Sequence, residues 1–100
     1  MAKEVKWTKT ANKNFDKVIA YLESNWPEKV VIDFISRTSK LLDLLAELPE
    51  IGEEVQDAKR KIRGILITKH NKLFYRVDKN TLIVLRIFDT RQNPQKLRFK

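Results

Sequence analysis

The first half of the chain carries a helical rhythm and the second half a strand rhythm. Glu4 to Thr8 alternates polar and apolar residues, as a short half-buried strand does. The spacing then changes. Ala11, Phe15, Val18, Ile19, Leu22 and Trp26 recur three or four residues apart and form one apolar stripe on a helix. Thr8 or Thr10 is placed to cap its start. Pro27 ends it, because proline disfavours helix at the residue before it, and Pro27 itself fits the first turn of a second helix. There Val30, Val31, Phe34, Ile35, Thr38, Leu41, Leu42, Leu45 and Leu48 keep one face for about five turns. Glu28, Lys29, Asp33, Arg37, Lys40 and Glu47 occupy the polar side. Two such helices joined by a tight turn predict an antiparallel hairpin.

Leu48-Pro49-Glu50-Ile51-Gly52 reads as a stop and turn, and Glu53 to Lys59 as loop. Three strands are predicted next: Ile62 to Thr68, Leu73 to Asp78 and Thr81 to Phe88. The short turns Lys69 to Lys72 and Lys79-Asn80 make them an antiparallel meander. Asp89 to Lys100 is polar and basic around Pro94 and reads as a partly mobile tail. The order β-α-α-β-β-β predicts an α+β fold, with the helical hairpin on one face of an antiparallel sheet and the other face left available. On the last strand Leu82, Val84, Arg86 and Phe88 share one face by alternation, and Thr81, Ile83, Leu85 and Ile87 the other. Both sets are largely apolar, so alternation does not choose which meets the helices.

The length of 100 residues suits a single domain spanning the chain, and 42% hydrophobic residues suffice for a core. There is no Cys and one His, which excludes disulfides, thiolate metal sites and a histidine metal cage. The two glycines are isolated, so no phosphate-cradling loop exists and no cofactor is expected. No run of 18 apolar residues occurs, and the N-terminus turns charged at once, so the expected location is the cytoplasm, away from membranes.

Charge changes the picture more. Met1 to Asp57 holds 8 basic and 11 acidic residues, whereas Ala58 to Lys100 holds 13 basic and 2 acidic. That asymmetry predicts a basic working half that captures a polyanion or an acidic partner.

The pattern resembles the RelE/ParE superfamily of toxins from bacterial type II toxin–antitoxin modules. The resemblance is carried by Trp26-Pro27-Glu28, by the Leu45 to Leu48 run into Pro49-Glu50-Ile51-Gly52, and by Lys61-Ile62-Arg63-Gly64-Ile65. Leu73 to Asp78 and Ile87-Phe88-Asp89-Thr90-Arg91-Gln92-Asn93-Pro94 complete it. It implies a small growth inhibitor neutralised by a cognate antitoxin. RelE-like members cut messenger RNA on the ribosome; ParE-like members poison DNA gyrase and lack the nuclease residues.

Cleavage by the 2′-OH needs a base, cations for the charged phosphorane and an acid for the leaving oxygen. The family's basic positions match Lys59, Lys61, Arg63 and Arg91. The resemblance therefore implies Arg63 and Arg91 as phosphate clamps and Lys61 as proton acceptor, with Lys59, Arg60, Arg76 and Arg86 as further phosphate contacts. The sequence departs from the nucleases in having neither His nor Tyr after Phe88; Phe99 offers a ring but no proton. Ribosome-dependent cleavage of messenger RNA is the first reading; that loss makes a gyrase inhibitor without nuclease activity the alternative, and a non-toxic basic RNA- or protein-binding domain is the third. Plainer roles exist as well. Arg63 can pair with Glu53 or Glu54, Lys61 can be solvated, and His70 reads as a surface turn residue. Tyr75, Trp7 and Trp26 read as packing residues.

Overall fold

The computed structural model describes residues 2–55, 60–93 and 97. Strand β1 (Glu4–Trp7) leads into helix α1 (Lys9–Asn25) and helix α2 (Glu28–Glu47). A short 3-10 turn (Pro49–Ile51) precedes β2 (Glu53–Glu54), β3 (Ile62–Thr68), β4 (Asn71–Asp78) and β5 (Thr81–Asp89).

Thr8 is the N-cap of α1, its hydroxyl accepting the Ala11 N–H, and that same hydroxyl donates to the Leu85 carbonyl at 3.1 Å. One side chain thus starts the helix and ties it to the sheet. Pro27 is the N-cap of α2 rather than a first-turn residue: its ψ of 155° is extended, and the helix begins at Glu28. The stripe of α1 packs as expected except at Trp26, which is 54% exposed. On α2 the buried line is Val31, Phe34, Thr38, Leu42, Leu45 and Ala46. Ile35 and Leu48 lie on its flanks and stay exposed, because a face that follows 3.6 residues per turn is narrower than the run of apolar letters. Thr38 is tolerated in the core because its hydroxyl donates to the Phe34 carbonyl one turn back.

The sheet order is β1-β5-β4-β3-β2, antiparallel throughout except for the parallel β1–β5 pair. Glu53 and Glu54, expected in a loop, form a two-residue edge strand on β3, and the Val55 N–H extends it by donating to the Ile62 carbonyl. Lys69 and His70 alone make the β3–β4 turn, so β4 begins at Asn71 rather than Leu73. Residues 56–59, with Lys59, and residues 94–96 and 98–100 of the C-terminal tail lie outside the described residues.

The core sits between the hairpin and the sheet: Phe34, Leu42 and Leu45 from α2 against Leu73, Tyr75, Leu82, Val84 and Ile87. Trp7 meets Phe15 edge-on at 5.3 Å and Phe15 stacks on Phe34 at 5.7 Å, joining β1, α1 and α2 through three rings. The opposite sheet face is apolar too. Ile62, Phe74, Leu85 and Phe88 form a second buried cluster, with Val55, Ile83 and Leu97 packed against it. That face is therefore partly covered, contrary to the expectation that it stays available.

Alternation does not sort the faces of β5 because the strand carries a bulge. Phe74 pairs with Arg86 but Tyr75 pairs with Val84, leaving Leu85 as an extra residue. Strict alternation fails at that point. Leu82 and Val84 face the helices, Leu85 turns to the other cluster, and Ile87 returns to the helix side with the phase shifted by one.

Candidate functional site

The sequence-selected cations divide between the two ends of the sheet. Lys61 is exposed just before β3, and Arg63 is the second residue of that strand. Arg91 follows β5, whose last residue Asp89 pairs with Asn71, itself opposite Thr68 at the far end of β3. Arg63 and Thr68 are five residues apart, about 17 Å along the strand. Lys61 and Arg63 therefore do not converge with Arg91. The faces differ as well. Arg63 is in register with the core residue Tyr75. Arg76 is in register with Ile83 and Arg86 with Phe74, which places both on the opposite face. Arg60 is exposed beside the segment of 56–59.

At the Lys61 end, Arg63 is a brace. Its guanidinium donates to the Glu50 carbonyl at 3.1 Å and the Gly52 carbonyl at 2.7 Å, and it pairs with Glu54 at 3.3 Å. Beside it the Tyr75 hydroxyl donates to the Pro49 carbonyl at 2.6 Å and accepts the Gly52 N–H at 3.0 Å. Burial pushes the Tyr75 phenol above its ordinary value of 10.0, against the opposing pull of the Gly52 N–H and the Arg63 charge. Gly52 is required here because a β-carbon would run into the Tyr75 ring and hydroxyl. The Pro49–Gly52 signature read from the sequence is thus a turn stitched to the sheet by two side chains.

The other end is a groove. Helix α1, helix α2, the β3–β4 turn and the end of β5 enclose about 1200 Å³. Leu22, Phe34 and Ile87 contribute apolar surface to it, and Lys17, Arg37, Lys40, Lys69 and Arg91 contribute positive charge. Arg91 is held by Asp89 through three bonds: its N–H at 2.9 Å and Nε at 3.0 Å to Oδ1, and Nη2 at 2.8 Å to Oδ2. The Arg91 guanidinium holds the Asp89 carboxyl below its ordinary 3.8, with His70 adding a smaller pull in the same direction. The Thr90 N–H donates to the His70 carbonyl and its hydroxyl to the Lys69 carbonyl, so the turn and the end of β5 are tied together. The sequence presents His70 as a plain surface turn residue. The signal that could have found it is the two-residue turn, which fixes it opposite Thr90.

No group of three or more His, Asp or Glu residues able to hold a metal occurs among the described residues. None of their helices is long and apolar enough to cross a membrane.

A strand, a helical hairpin and an antiparallel meander, with a parallel first strand at the edge, define the architecture of the small RelE- and ParE-type toxins. The chain matches the family described as the ParE toxin of the type II toxin–antitoxin system parDE over residues 5–94, and it belongs to that family. Among solved structures it is similar to the chromosomal ParDE system of P. aeruginosa, at 19% identity and a TM-score of 0.65, covering 88% of this chain and 96% of that one. The toxin–antitoxin complex RelBE2 of Mycobacterium tuberculosis gives 17% identity and a TM-score of 0.63, covering 89% and 99%. Free E. coli RelE carrying two substitutions gives 18% and 0.62, covering 91% and 86%. These likenesses show the fold. No curated protein matches. The protein is a toxin of a type II toxin–antitoxin system.

Proposed function

We propose that this toxin acts in the cytoplasm by binding and poisoning DNA gyrase rather than by cutting RNA. The observation that carries the reading is the separation of Lys61 and Arg63 from Arg91. Phosphoryl transfer without a metal needs its base and its cationic clamps around one phosphate. Here Arg63 is already bound to two backbone carbonyls and a carboxylate, and Lys61 stands beside it at the far end of the sheet. Membership of the ParE family supports the same conclusion.

Cleavage of ribosome-bound messenger RNA is the second reading. One observation favours it: the β3–β4 turn sets the His70 imidazole beside Asp89 and Arg91. A single pair of assays separates the two. Purified toxin is expected to block gyrase supercoiling and to leave messenger on programmed ribosomes intact. Unchanged supercoiling with new messenger ends at an occupied A site would overturn the gyrase reading and establish the other.

A further inference from the structure

The groove between the helices and the β3–β4 turn combines two properties. Its apolar surface comes from Leu22, Phe34 and Ile87, and its charge is one-sided. Asp33 and Asp89 are the acidic residues that line it, and Asp89 is committed to Arg91 through both carboxylate oxygens. Lys17, Arg37, Lys40 and Lys69 form no salt bridge among the described residues. An amphipathic acidic helix fits this combination: its apolar stripe meets the apolar surface and its acidic flanks meet the rim. A nucleic acid strand would use the charge and leave the aliphatic surface uncovered.

Arg91 is the exception on that rim, because its counter-anion is built in. The Asp89 side chain presents two oxygens to the guanidinium in the side-by-side manner a partner carboxylate would use. The pair is solvent-accessible, with 55% of the Arg91 side chain and 31% of the Asp89 side chain exposed, so the geometry permits exchange.

We propose that Asp89 is a resident counter-anion for Arg91, and that a carboxylate on an amphipathic helix of the cognate antitoxin displaces it when that helix fills the groove. The inference rests on family membership and is independent of whether the toxin's target is gyrase or the ribosome. It makes Asp89 a competitor of the antitoxin that sets the affinity of neutralisation. Losing Asp89 should tighten the complex, whereas a residue that only supports the fold would weaken it.

The test uses the full-length toxin and the purified product of the reading frame adjacent to its own. Asp89→Asn keeps an oxygen for the Arg91 N–H and removes the charge. It is expected to lower the antitoxin Kd several-fold. Arg91→Ala is expected to raise the Kd about tenfold, the scale of one charge-assisted bidentate contact. Asp89→Asn added to Arg91→Ala is expected to change nothing further, because the competition needs both partners. Lys40→Glu on the rim is expected to weaken binding, and Lys79→Glu at the other end of the sheet to leave it unchanged. Thermal melts confirm that each variant is folded. An unchanged or raised Kd in Asp89→Asn would overturn the proposal. So would an equal gain from Asp89→Asn with and without Arg91, or a single-stranded oligonucleotide that displaces the antitoxin from the wild-type toxin and not from Lys40→Glu.

Discussion

The two ends of the sheet use arginine in opposite ways. At one end Arg63 bonds to the carbonyls of Glu50 and Gly52, fixed acceptors that belong to the fold. At the other end Arg91 bonds to Asp89, a side chain that can rotate away. A guanidinium bound to backbone is part of the scaffold, since withdrawing it leaves carbonyls without their donor. One bound to an exposed carboxylate is available for exchange at little cost. Net charge alone cannot make this distinction, although both residues contribute equally to it.

The comparison can be broken most forcefully at Gly52. Gly52→Ala is expected to cost about 3 kcal/mol, because the new methyl group has no room beside the Tyr75 ring. A melt that matches wild type would show that the turn is not stitched as described. Tyr75→Phe should cost about 2 kcal/mol by leaving the Pro49 carbonyl and the Gly52 N–H unpaired. The same substitution probes alkali. The folded-state phenol pKa is raised, so the contribution of Tyr75 is complete below pH 10 and falls away as the pH climbs through the higher folded value. The wild type is therefore expected to lose stability above pH 10 more steeply than Tyr75→Phe in denaturant titrations. Arg63→Ala should cost about 1–2 kcal/mol while the folded fraction keeps its toxicity, measured as growth arrest normalised to folded protein. Arg91→Ala should lower the melting temperature only slightly, on the scale of one exposed ion pair. The smallest effect is at acid pH. The Asp89 pKa is depressed, so its contribution is present above the ordinary carboxylate value and disappears only as the pH falls through the lower folded value. Melts of wild type and Asp89→Asn should therefore converge only at strongly acid pH.

Much of this architecture was legible in the sequence for local reasons. Strand β3 matches its expected span, Ile62 to Thr68, because a β-branched run between a basic stretch and a turn has few other solutions. The Thr8 cap and the two helices follow from side-chain chemistry within a few residues. What escaped was long-range or set by phase. No local pattern announces that β1 pairs in parallel with β5, since its partners lie more than seventy residues away. The Glu53–Glu54 edge strand escaped because acidic residues read as loop, yet its pairing to Gly64 and Arg63 is a tertiary event. The candidate site suffered most. A count of cations along the second half says nothing about which end of a strand each occupies. The carboxylate of Asp89, which decides how Arg91 behaves, entered the charge tally as a minor subtraction.

The extra residue at Leu85 gives β5 two independent addresses. Upstream of it, odd and even positions are assigned to one pair of environments; downstream the assignment is exchanged. Ile87 and Asp89 reach the helix side only because of that exchange. Pairing the strand regularly through that point, with Leu85 retained, would send the Arg91-binding carboxylate to the reverse of the sheet. The face that Asp89 presents is therefore set by a pairing choice well inside the sheet, and an inventory of surface substitutions would miss it.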